Sequence, residues 1–139
     1  MPTTAATESP VYADASALVK LVVEEPETSA LRDFLELHDP SLASSALALV
    51  EVLRAVRVAG LGGDGARRAR EELDDTDVVE VDRELLEAAV SWTSARVRSL
   101  DAIHLASALR IGAREMLVYD RRLAEAAEAA GLEVLSPGA

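Results

Sequence analysis

Residues Val11–Leu21 read V-Y-A-D-A-S-A-L-V-K-L: an apolar run stops at Asp14, and helical spacing then places Leu18, Leu21 and Val22 on one face. This is the pattern of a strand, a turn and a helix, with a carboxylate at the strand's end. A lone carboxylate among apolar residues is costly to bury unless something pairs with it. Three more acids interrupt apolar sequence in the same way: Glu51 in A-L-A-L-V-E-V-L, Asp101 in S-L-D-A-I-H-L-A and Asp120 in M-L-V-Y-D. Most of them have no basic neighbour in sequence. If the fold brings them together, a divalent cation is the natural counter-ion.

Working outward, Pro26 closes the first helix, and residues 27–37 carry Leu31, Phe34 and Leu35 on one face of a second. His38-Asp39-Pro40 marks a turn. A brief strand at 41–43 leads to Ser44 and Ser45, either of which can cap a helix reaching Gly60 with Glu51 in its interior. The G-L-G-G-D-G segment at 60–65 reads as a flexible connection, and A-R-R-A-R-E-E-L after it as a surface helix. Val78, Val79 and Val81 suggest a strand, and Asp82 caps a helix that carries Leu85, Leu86, Ala89, Val90 and Trp92. A helix from about Asp101 to Gly112 puts Asp101 in its first turn. Residues 116–119 form a strand ending at Asp120, followed by a helix to Gly131 and a last strand at 132–135. Trp92, Leu105 and Leu109 are expected in the core, and His104 is expected to be a hydrogen-bonded structural histidine.

Strands alternating with helices predict an α/β fold whose mostly parallel sheet is covered on both faces. In such sheets the ligand crevice lies beyond the carboxyl ends of the strands. Asp14 and Asp120 both occupy strand ends. If the first and fourth strands are neighbours, those carboxylates share one rim that Asp101 and Glu51 can complete. Asp14, Asp101 and Asp120 also suit helix starts and turns for purely structural reasons.

The chain has 139 residues, the size of one domain, which is expected to span 11–139 after a loose extension at 1–10. No stretch is long and apolar enough to cross a bilayer, and the first ten residues lack the marks of a signal peptide. With no cysteine, disulfides, thiolate metal sites and thiol catalysis are excluded, which is compatible with a cytoplasmic location. Fourteen basic against twenty-five acidic residues give a net charge of −11, the opposite of a phosphate-gripping surface. A nucleic-acid partner would need cations to approach.

Four blocks taken together are similar to one family: Y-A-D-A-S-A-L-V-K-L at 12–21, S-S-A-L-A-L-V-E-V-L-R-A at 44–55, S-L-D-A-I-H-L-A-S-A-L at 99–109 and V-Y-D-R-R-L-A-E-A-A at 118–127. In this order and spacing the chain resembles the PIN-domain ribonucleases, in particular the VapC toxins of toxin–antitoxin pairs. The resemblance implies a three-layer α/β/α sandwich, a Mg²⁺ or Mn²⁺ site, endonucleolytic RNA cleavage, a homodimer and inhibition by a small antitoxin. Carried over by position, its acidic quartet falls on Asp14, Glu51, Asp101 and Asp120, and its hydroxyl on Ser16.

Mg²⁺ and Mn²⁺ prefer carboxylate and water oxygens. Asp14 and Asp101 are then the first choice of direct ligands, with Glu51 and Asp120 holding waters or a second ion. Arg96, Arg98 and Arg121, with Arg122, are the arginines nearest the expected rim and candidates for substrate phosphate contacts. Arg67, Arg68 and Arg70 read as a solvated helix face. Two other functions fit less of the pattern. One is a PIN-like interaction module with little catalysis. The other is a metal phosphatase with Asp14 as acceptor, a scheme that wants a second aspartate where Ser16 stands.

Overall fold

The computed structural model describes residues 9–139, so the extension expected at 1–10 lies outside the described residues except for Ser9 and Pro10. The elements run β1 (Val11–Ala13), α1 (Ala15–Lys20), α2 (Thr28–His38), β2 (Leu42–Ser45), α3 (Ala48–Val58), α4 (Gly62–Asp74), β3 (Asp77–Val79), α5 (Arg83–Val90), α6 (Ser99–Arg110), β4 (Glu115–Leu117), α7 (Arg121–Ala129) and β5 (Glu133–Leu135). All strand pairs are parallel, in the order β3-β2-β1-β4-β5. The expected α/β architecture is present.

Side chains alternate across a strand, and the central strands use both faces. Val11, Ala13 and Leu117 pack with Leu18, Leu31, Val52, Val56 and Leu73 on one side. Tyr12, Met116 and Val118 pack with Leu105, Leu123 and Ala127 on the other. The sheet is thus the middle of three layers. Truncating a fully buried leucine such as Leu18 or Leu105 to alanine costs about 2–5 kcal/mol, enough to threaten a domain of this size.

Several local expectations are corrected. The first helix ends at Lys20 instead of continuing to Pro26, because the Thr28 hydroxyl donates to the Lys20 carbonyl at 2.8 Å and turns the chain. Lys20 itself is buried and held by Glu25 at 3.3 Å and Glu27 at 2.8 Å. Ser44 and Ser45 do not cap a helix but finish β2. The Ser44 hydroxyl donates to the Ala13 carbonyl at 2.6 Å, and that of Ser45 accepts from the Leu47 amide at 3.1 Å. Helix α3 therefore starts later, and Glu51 lies in its first turn instead of its interior.

The glycine-rich stretch at 60–65 is largely helical, since α4 begins at Gly62. Gly65 is buried there, and a Cβ would lie 2.5 Å from the Leu61 Cβ and 3.0 Å from a Val56 methyl. A glycine at this point lets α3 and α4 close on each other. Trp92 is not core: α5 ends at Val90, so the indole falls in the following turn and remains 38% exposed. Leu105 is buried as expected, whereas Leu109 only flanks the core.

Candidate active site

From β1 the chain adds β2 and β3 on one side of the sheet and β4 and β5 on the other. The strand order reverses between β1 and β4, where open parallel sheets form their ligand crevice. Ala13 pairs with Leu117, so Asp14 and Asp120 leave the carboxyl ends of adjacent strands. A cavity of about 330 Å³ opens there, lined by all four acids singled out from the sequence: Asp14, Glu51, Asp101 and Asp120. Ser16, Arg98, Leu100, His104 and Arg122 are also part of its wall. A larger groove of about 630 Å³ between α3 and α4 has no acidic residue in its lining.

Each of the four acids sits at the beginning of a helix, where unpaired amides and the helix dipole favour negative charge. Asp14 caps α1 and accepts from the Ala17 amide at 3.3 Å. Asp120 caps α7 and accepts from the Leu123 amide at 2.9 Å. Asp101, third in α6, accepts a longer bond of 3.4 Å from the Arg98 amide. Glu51 stands in the first turn of α3. The structural roles foreseen for these aspartates are real, and they serve to hold the carboxylates around one cavity.

Asp14 is 5% exposed, and burial pushes its carboxyl up to about 6, against the Ser16 hydroxyl, which pulls it down. Burial is the main cause. Ser16 Oγ donates to Asp14 Oδ1 at 2.6 Å and accepts from the Tyr119 amide at 2.9 Å. One hydroxyl thus joins the ends of the first and fourth strands.

His104 is buried and bonded at both nitrogens, Nε2 to Glu51 Oε1 at 2.7 Å and Nδ1 to the Tyr12 phenol at 2.7 Å. It is a satisfied histidine, as expected. Its tie to Glu51 was not foreseen. The available signal was position: His104 follows Asp101 by one helical turn, and Tyr12 precedes Asp14 by two residues on a strand. Among the arginines, Arg98 and Arg122 line the cavity. Arg96 and Arg121 are exposed and do not line it.

Among the described residues, no three acidic or histidine side chains stand close enough to grip a metal ion directly. The donor chemistry nevertheless suits a hard divalent cation. It consists of carboxylates around one cavity; Asp14 is buried, and among the described residues no Lys or Arg forms an ion pair with Asp14, Asp101 or Asp120.

Residues 11–129 match the PIN domain. The chain belongs to the PIN-domain family. Within that family it is similar to ribonuclease VapC46 of Mycobacterium tuberculosis, 42% identical over 130 residues that cover 91% of this chain and 97% of that one. It is also similar to ribonuclease VapC47 of the same species, 39% identical and covering 93% and 98% of the two chains. These relatives set it among the VapC proteins. Two solved structures share the fold. Mycobacterium tuberculosis VapC20, described as a sarcin–ricin loop cleaving toxin, superposes with a TM-score of 0.73 at 19% identity, covering 91% of this chain and 99% of the other. A toxin–antitoxin complex from Klebsiella pneumoniae gives 0.70 at 20% identity, with 91% and 97% covered. No helix among the described residues is long and apolar enough to cross a membrane.

Proposed function

We propose that this PIN-domain protein is a metal-dependent endoribonuclease and the toxin of a toxin–antitoxin pair, with Asp14, Glu51, Asp101, Asp120 and Ser16 as its catalytic set. The observation that carries the reading is that carboxylates from four separate stretches of sequence line one cavity at the switch point of the sheet. The ribonuclease names of relatives at 42% and 39% identity support it.

Asp14 and Asp101 would hold the ion, with Glu51 and Asp120 accepting hydrogen bonds from its waters or taking a second ion. When bound, Mg²⁺ or Mn²⁺ acidifies an attacking water and offsets charge on the phosphodiester oxygens. Ser16 keeps Asp14 in place through its paired bonds to Oδ1 and to the Tyr119 amide. The half-buried Glu51 is the group suited to accept a proton as water attacks phosphorus in line. Arg98 and Arg122 on the cavity wall meet substrate phosphates in an otherwise acidic protein. The products carry 5′-phosphate and 3′-hydroxyl ends.

The expected partners are RNA, a small antitoxin and a second copy of the chain. The antitoxin is supported by the fold shared with the Klebsiella pneumoniae complex, the dimer by apolar side chains left open at Leu86, Val90 and Trp92. The test is cleavage of single-stranded RNA in Mn²⁺ or Mg²⁺. Activity is expected to vanish with a chelator and in Asp14→Asn and Asp101→Asn. Equal cleavage by these variants and the parent protein would refute the proposal.

A further inference from the structure

We propose that His104 and Tyr12 are positioning residues that fix the carboxylate of Glu51 in one orientation at the cavity, an inference that rests on the metal-dependent reading above. The geometry defines the hydrogen bonds. A carboxylate only accepts, so the 2.7 Å contact with Glu51 Oε1 requires a proton on His104 Nε2. In the neutral imidazole Nδ1 is then an acceptor, and the Tyr12 phenol, 2.7 Å away, donates to it. Tyr12 has no exposed surface and His104 is 3% exposed, so water is poorly placed to take over the bond between them. The rings also meet edge to face, with centroids 5.9 Å apart at 72°.

The relay joins α3 and α6, which carry Glu51 and Asp101, to β1, which leads into Asp14. Tyr12 lies on β1 just before Asp14, His104 lies on α6 one turn after Asp101, and Glu51 belongs to α3. With Oε1 committed to His104, Glu51 offers Oε2 to an ion or its water. Partners of this kind set the orientation of metal-binding groups, and losing one commonly weakens metal affinity about 10–100-fold.

The probe is Mn²⁺ alone, titrated calorimetrically into the full chain, with thermal unfolding as a folding control. His104→Leu is expected to weaken Mn²⁺ binding by about tenfold or more, and Tyr12→Phe by a smaller factor. His104→Gln, whose amide can still donate to Glu51, should stay within about threefold of the parent protein. Parent-like binding by His104→Leu, with Asp14→Asn abolishing it, would overturn this inference and leave the proposed function intact. Absence of Mn²⁺ binding by the parent protein would remove both. A second measurement needs no variant: ¹⁵N spectra of the imidazole at neutral pH are expected to show the Nε2–H tautomer, and an Nδ1–H tautomer would overturn the relay.

Discussion

Ser16 stands between Asp14 and Tyr119, donating to the Asp14 carboxylate at 2.6 Å and accepting the Tyr119 amide at 2.9 Å. Its bond to Asp14 opposes the upward push of burial. Ser16→Ala should therefore raise the Asp14 pKa further, moving the carboxyl's titration profile, followed by NMR in chelator, to higher pH. RNA cleavage should fall about tenfold, by analogy with the loss of other groups that orient a metal ligand. Ser16→Thr keeps the hydroxyl and should keep both the rate and the profile.

The charge of Asp14 also sets how stability depends on pH. Its folded pKa of about 6 lies above the ordinary 3.8. The folded state thus binds the proton more tightly than the unfolded chain does. In chelator, the stability tied to this group is fully present below about pH 4 and is lost as the pH rises through about 6. Asp14→Asn removes that loss and retains a helix cap. Urea unfolding should show the variant more stable than the parent by roughly 2–3 kcal/mol at pH 8 and nearly equal to it at pH 4.

Asp120 and Asp82 both cap helices, at 2.9 and 2.8 Å from the third helical amide, but only Asp120 lines the cavity. Asparagine is a comparable cap, so Asp120→Asn and Asp82→Asn should each stay within about 1 kcal/mol of the parent in stability. Cleavage should drop about tenfold or more in Asp120→Asn and remain at the parent rate in Asp82→Asn. Equal rates in the two variants would confine Asp120 to its structural task.

Arg98 and Arg122 border the acids, whereas Arg67 is 68% exposed on α4 and paired with Asp64 at 3.3 Å. Arg98→Ala and Arg122→Ala should raise the KM for RNA several-fold, and each should reduce the salt slope of binding by about one. Arg67→Ala should change neither. Fluorescence anisotropy with labelled RNA over a range of salt concentrations distinguishes these outcomes.

Much of this architecture is legible in the chain because local chemistry and global position agree. Asp14, Asp82 and Asp120 each follow an apolar segment and precede helical spacing, and each is a helix cap in the structure. The rim formed by Asp14 and Asp120 needed only that the first and fourth strands pair, which they do. Failures occur where tertiary contacts overrule local signals. Helix α4 begins among glycines because Gly65 packs against Leu61 and Val56, a contact no propensity records. Ser44 bonds to a neighbouring strand instead of a helix. The Glu51–His104 pair spans 53 residues, and spacing alone does not reveal which acid a buried histidine will meet.

The cavity draws on residues from Asp14 to Asp120, spread over most of the chain and joined by long-range strand pairing. A polypeptide still emerging from the ribosome, or one cut short before its last quarter, has no complete set of acids to offer. The four acids therefore come together late, only after β4 has paired with β1 and brought Asp120 beside Asp14.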